Sequence, residues 1–95
     1  MSEGFEWDSK KAQSNVADHK VSFDLAKDVF KGPRLEVPDT REDYGEDRYI
    51  SLGEVDGRCL VVVHTPRVGK TRIISARKAT SGEQDKYYKV IYGKA

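Results

Sequence analysis

The feature that most restricts what this chain can fold into lies between residues 48 and 79, where three strand-like runs follow one another with only tight turns between them. In residues 48–53, Ile50 and Leu52 alternate with Tyr49 and Ser51, the period-two pattern of a strand with one buried face. Asp56-Gly57 then supplies a hairpin turn, because both central positions of a type I′ turn require positive φ. The unbroken β-branched run CLVVVHT at 59–65 predicts a central strand covered on both faces. PRVGK at 66–70 turns the chain again, and TRIISAR at 71–77 forms a third strand, with Ile74 and Ala76 expected on one face and Ile73, Ser75 and Arg77 on the other. Three antiparallel strands in sequence commit the chain to a sheet that needs covering by other elements.

The flanking segments provide the cover. FEWD at 5–8 reads as a short first strand, and Asp8 caps a helix from Ser9 to about His19 whose Ala12, Val16 and His19 share a face. Ser22 caps a second helix with Leu25, Ala26, Val29 and Phe30 as its apolar stripe, stopped by Gly32-Pro33. Leu35, Val37 and Pro38 predict a brief edge strand, and the acidic segment 39–47 a loop. Thr80 and Glu83 form a capping box opening a helix to about Tyr92. The expected architecture is α+β: two N-terminal helices and a C-terminal helix on a mainly antiparallel sheet of four to five strands, in one domain spanning 1–95.

Charge distribution says more than the formal net charge of +1. Residues 1–57 hold 8 Lys/Arg against 14 Asp/Glu, whereas residues 58–95 hold 9 against 2, so the halves carry −6 and +7. A basic segment of this kind attracts phosphate backbones, with affinity that falls as salt rises. Its bland alternative is a solvated face balanced by the acidic half. No apolar run approaches the ~20 residues that span a bilayer, so no membrane role is expected. The acidic N-terminus lacks the pattern of a secretory signal, and the lone Cys59 suits a reducing compartment; the expected location is cytoplasmic.

Several motifs together carry a resemblance: FEWD with Lys11 and Asn15, His19, Val21-Ser22-Phe23, Arg48-Tyr49, VVVHTPR at 61–67, RIISARKAT at 72–80, and Glu83 with Tyr87. Spread over nearly the whole chain, they resemble the BrnT family. The resemblance implies a RelE-like fold and a ribonuclease toxin of a bacterial type II toxin–antitoxin pair. It further implies RNA as substrate and a BrnA-type ribbon-helix-helix antitoxin, with two toxins on an antitoxin dimer, operator DNA being reached only through the antitoxin. The sequence departs from the family at Lys20, where a glycine usually follows the histidine that ends the first helix.

Metal-independent RNA cleavage by 2′-OH attack needs a base, cations for the phosphorane and an acid for the leaving oxygen, and leaves a 2′,3′-cyclic phosphate. Arginine suits the second task, since its planar fork matches phosphate oxygens and stays charged. The candidate catalytic set is His64 for proton transfer with Arg67, Arg77 and Lys78 for charge, Arg77 foremost. Arg48, Tyr49, Arg72, Ser75 and Tyr88 are candidates for holding RNA. An antiparallel meander is expected to bring several of these arginines near one phosphate. For each arginine the competing reading is a surface residue paired with the acidic loop, and for His64 a structural hydrogen bond at a strand end. Tyr87, Tyr88 and Tyr92 also have helical spacing suited to packing, His19 suits a helix C-terminus, and Trp7 and Cys59 suit the core. Gly69-Lys70-Thr71 lacks the rest of a phosphate-binding loop, and two separated histidines with one cysteine give no metal spacing, so neither cofactor nor metal is expected. The alternative in another class is a catalytically idle basic module that grips an antitoxin and supports operator DNA binding.

Overall fold

The computed structural model describes residues 4–93. Its elements are β1 (Phe5–Glu6), α1 (Ser9–His19), α2 (Phe23–Ala26) continued by a 3₁₀ turn (Lys27–Lys31), β2 (Arg34–Pro38), β3 (Tyr49–Val55), β4 (Arg58–Arg67), β5 (Lys70–Lys78) and α3 (Ser81–Tyr92). The strands form one sheet in the order β1-β5-β4-β3-β2, antiparallel except for the parallel β1–β5 pair. This is the expected α+β arrangement of three helices on a mainly antiparallel sheet.

Local chemistry explains the boundaries. The Asp8 carboxylate accepts from the amides of Lys10 and Lys11 at 2.8 and 3.1 Å, satisfying donors that the first helical turn leaves free. The first strand is shorter than FEWD because Asp8 is spent on this cap. At the other end of α1, Lys20 adopts the left-handed conformation, φ 60° and ψ 28°, and its amide closes on the Val16 carbonyl at 3.0 Å. The cap geometry that favours glycine is thus kept with a residue whose Cβ opposes it. Asp56 and Gly57 have φ of 51° and 77°, as the β3–β4 turn requires.

Three expectations about faces are corrected. Val16 is 45% exposed and His19 is exposed, because α1 presents Asn15 to the sheet instead. The strand β3 has both faces covered, with Ser51 fully buried, since helices pack on both sides of the sheet. In β5, Ile73 and Ala76 share a face with the helical core, because the register against β4 slips between Val63 and His64 and leaves Ile74 as an extra residue.

The layers follow from these faces. On the first face, α1, α2 and the 3₁₀ turn cover Val55, Leu60, Val62, Ile73 and Ala76 with Val21, Phe23, Ala26 and Val29. Gly53 permits that approach, since a Cβ there would lie 2.8 Å from Val29 Cγ1. On the second face, α3 packs through Tyr87 with Leu52, Cys59, Val61 and Ala79, and the Tyr87 hydroxyl donates to the Pro33 carbonyl at 2.9 Å. Each fully buried side chain of this size contributes roughly 1.5–3 kcal/mol. Because α3 lies toward β2 and β3, the second face stays open over β4 and β5.

Candidate nucleic-acid interface

Strand alternation sorts the basic residues by face. On β4 and β5, Val61 pairs with Arg77 and Val63 with Ser75, and beyond the bulge Thr65 pairs with Arg72 and Arg67 with Lys70. Arg77, Ser75, Arg72 and Arg67 therefore stand on the second face, the one α3 leaves open. His64 and Tyr49 pair with each other and face the helices, and Lys78, paired with Leu60, also belongs to the first face. Arg67 and Arg77 are not brought to one point: Arg67 lies six positions along β4 from the partner of Arg77, about 20 Å away at strand rise. The cations form a stripe along two strands instead of a single cluster.

At one end of the stripe is a cleft of about 260 Å³ lined by Arg41, Ile50, Val61, Val63, Ser75, Arg77 and Glu83. Arg77 is held by a two-pronged contact, Nη1 and Nη2 donating to the Glu83 carboxylate at 2.8 and 2.9 Å. That contact keeps Arg77 charged and, with the Thr80 amide, holds the Glu83 carboxyl down to about 2. Glu83 thus serves both the helix cap and the guanidinium. Arg41 reaches the same cleft from the acidic loop, its Nε and Nη2 donating at 2.8 and 2.7 Å to a fully buried Asp39 carboxylate. The contact drives the Asp39 carboxyl far below its ordinary range. Arg41 and Arg77, each oriented by its own carboxylate and still partly exposed, line one space together with Ser75.

The other arginine candidates are each engaged. Arg67 and Arg48 both donate to Glu46 of the acidic loop, at 3.2 and 3.0 Å, and Arg48 also lies 4.1 Å over the Tyr44 ring. Arg72 donates to Glu6 of β1 at 2.7 Å. Lys78 is exposed at the strand end. The Tyr88 hydroxyl donates to Glu54, and its ring stacks on Tyr92 at 5.8 Å, so Tyr88 is committed to packing.

His64 occupies a separate cleft of about 200 Å³ on the first face, with Phe30, Arg34, Glu36, Tyr49, Pro66 and Thr71. The Phe30 ring meets it edge-on at 4.8 Å and Tyr49 stacks at 6.1 Å. Ser51 donates to Glu36 at 2.9 Å and lies 2.7 Å from His64 Nε2. Because the single serine proton goes to the carboxylate, Nε2 must donate to Ser51, which makes Nδ1 the ring's acceptor. The serine sits in the middle of this chain, fully buried, so it is no nucleophile activated by histidine. Burial pushes the His64 pKa down, against the smaller pull of Glu36.

Sequence reasoning missed Arg41, Glu83 as the partner of Arg77, and the Glu36–Ser51 network. Arg41 is the basic residue of a stretch whose acidic excess marks it as solvated loop, and nothing in its spacing announces the buried Asp39. Among the described residues no group of three or more His, Cys, Asp or Glu could hold a metal ion, and no helix is long and apolar enough to cross a membrane.

The α+β fold carries a sheet face lined with guanidiniums, the residue type that grips phosphates. The assignment is specific: the model of the family described as the ribonuclease toxin, BrnT, of type II toxin–antitoxin systems matches residues 7–83, and the chain belongs to that family. No curated protein matches the chain at a significant level. A toxin of this type acts on RNA and has an antitoxin partner.

Proposed function

We propose that the protein is a metal-independent endoribonuclease whose scissile phosphate sits between Arg41 and Arg77. The observation that carries this reading is that Arg41 and Arg77 line the same cleft together with Ser75. Their guanidiniums supply positive charge against the negative charge a phosphorane gains as it forms, Arg77 after exchanging Glu83 for the phosphate. In this reading ionised Glu83, 2.8 Å from Arg77, accepts the 2′-OH proton, and the leaving 5′-oxygen takes a proton from solvent as its bond to phosphorus breaks. In the resting protein it is a weak base; once a phosphate takes the fork of Arg77, its carboxylate loses that partner and becomes more basic. Arg72, Arg48 and Arg67 continue the stripe and would hold the neighbouring backbone, after exchanging their carboxylates for phosphates. His64 and Tyr49 lie on the opposite face, and Lys78 flanks the strand end, so their part in this reading is to support the sheet rather than to touch the scissile phosphate.

The chemistry is tested with an RNA oligonucleotide and the same oligonucleotide carrying 2′-deoxy sugars, each with and without chelator. Cleavage of the RNA alone, unaffected by chelator and ending in a 2′,3′-cyclic phosphate, is the expected outcome. Cutting of the 2′-deoxy strand, or loss of cutting on chelation, would overturn it.

A further inference from the structure

The cleft around His64 holds hydrogen-bonding capacity that the fold does not use. His64 is 5% exposed and its Nε2 is committed to Ser51, yet among the described residues Nδ1 has no hydrogen-bond partner and is not sealed from solvent. Burial keeps the ring neutral, so Nδ1 is an unused acceptor on a side chain that lines the cleft. Glu36 lines it too. Its Oε1 accepts from Ser51 and Arg34 at 2.9 and 3.2 Å, while Oε2 takes no bond among the described residues. Burial opposes its ionisation, but the donors Ser51 and Arg34 prevail and hold the carboxyl below its usual range, so this group is an acceptor as well.

These features restrict the occupant. Arg34 and Glu36 cancel each other's charge, which leaves no excess for a phosphate or a cation. Phe30 and Tyr49 set their rings 4.8 and 6.1 Å from the His64 ring, walls suited to a planar molecule. The volume, about 200 Å³, falls below the roughly 300–1,000 Å³ of clefts that take a cofactor-sized ligand. An uncharged planar heterocycle carrying N–H donors meets every condition, and an unpaired nucleobase is one. The neighbouring residues place RNA there. Tyr49 follows Arg48, Pro66 precedes Arg67 and Thr71 precedes Arg72, so the cleft and the basic stripe share the end of the sheet where β3 begins and β4 stops. A backbone held by Arg48 and Arg67, which meet at Glu46, can turn a base around that end.

We propose that the His64 cleft is a base-recognition site for one unpaired guanine of the RNA, whose N1–H and N2–H groups donate to His64 Nδ1 and Glu36. Guanine is the base with two N–H donors side by side on one edge, the match for two unused acceptors. The inference rests on the reading of the stripe as the path of the RNA backbone, and is separate from the chemistry at Arg41 and Arg77.

The test is fluorescence anisotropy of the full chain with 2′-O-methyl oligouridylates, which lack the attacking hydroxyl, carrying one central guanosine, inosine, adenosine or cytidine. Guanosine is expected to bind about tenfold more tightly than inosine, which lacks only the N2 amino group. Glu36→Gln is expected to bring these two strands within about twofold of each other, and Tyr49→Leu to weaken the guanosine strand about tenfold. The difference between guanosine and inosine is a readout that a merely structural role of Glu36 would not move. Equal affinities in the wild type, preference for another base, or a guanosine preference that Glu36→Gln leaves intact would overturn the proposal, with cleavage by Arg41 and Arg77 judged independently. Binding of none of the strands would remove the RNA path along the stripe and the base site with it. A wild type without base preference whose purified antitoxin complex is weakened by Tyr49→Leu would give the cleft to the antitoxin instead.

Discussion

His64 shows how one side chain ties stability to pH. Its ring is packed edge-on against Phe30, donates through Nε2 to Ser51, and is 5% exposed, with Glu36 at 3.7 Å and Arg34 nearby. Burial favours the neutral ring, so the folded-state pKa lies below the ordinary 6.5. The unfolded chain then binds the extra proton first as pH falls. His64's contribution is complete above 6.5 and is lost as pH drops through the lowered folded value. Thermal melts between about pH 7.5 and about pH 5.5 should therefore show wild type losing stability on acidification, with His64→Gln losing less of it. Equal slopes in the two proteins would remove His64 from the pH dependence. In the sequence, VVVHT showed the strand and the titratable ring; the face did not show, because it depends on which helix closes over the strand end.

At the scale of elements, a two-residue first strand leaves the outer edge of β5 short of partners. β1 pairs only with Thr71 and Arg72, so farther along the strand Asn15 of α1 does the work of a missing neighbour. Its amide donates to the carbonyls of Ala76 and Val21, both at 2.8 Å, and its oxygen accepts from the Ala76 amide at 3.1 Å. Asn15→Ala strips a buried strand edge of these bonds and should cost about 2–4 kcal/mol in urea denaturation; a loss under about 0.5 kcal/mol would mean the edge finds another partner. Helix caps, the Asp56-Gly57 turn and the central position of β4 were legible because short-range chemistry decides them. The bulge at Ile74 and the burial of Asn15 were not. Both follow from how β5 meets its neighbours, and period-two counting along TRIISAR carries no record of a register slip.

Over the whole molecule, the opposed charges of the two halves meet at two arginine–glutamate pairs, most other ion pairs forming within one half. Glu6 binds Arg72 and Glu46 binds Arg67, each joining the acidic half to the basic one, while Arg48 shares Glu46 from within the acidic half. Exposed pairs of this kind are individually weak, which suits a surface that must release its carboxylates when a polyanion arrives. The basic stripe itself was legible from charge counting, whereas its meeting with Arg41 was not, since that residue arrives from a loop dominated by acid. The family match makes the chain a ribonuclease toxin, and the proposed function puts one phosphate of the RNA in the Arg41–Arg77 cleft. The decisive measurement is the single-turnover rate of RNA cleavage by wild type, Arg41→Ala, Arg77→Ala and the double variant, with each fold verified by circular dichroism. Two guanidiniums on one phosphate should each be worth about a hundred- to a thousand-fold, with the double variant losing less than the product of the two. An Arg77→Ala protein that is folded and cleaves at the wild-type rate would contradict the assignment.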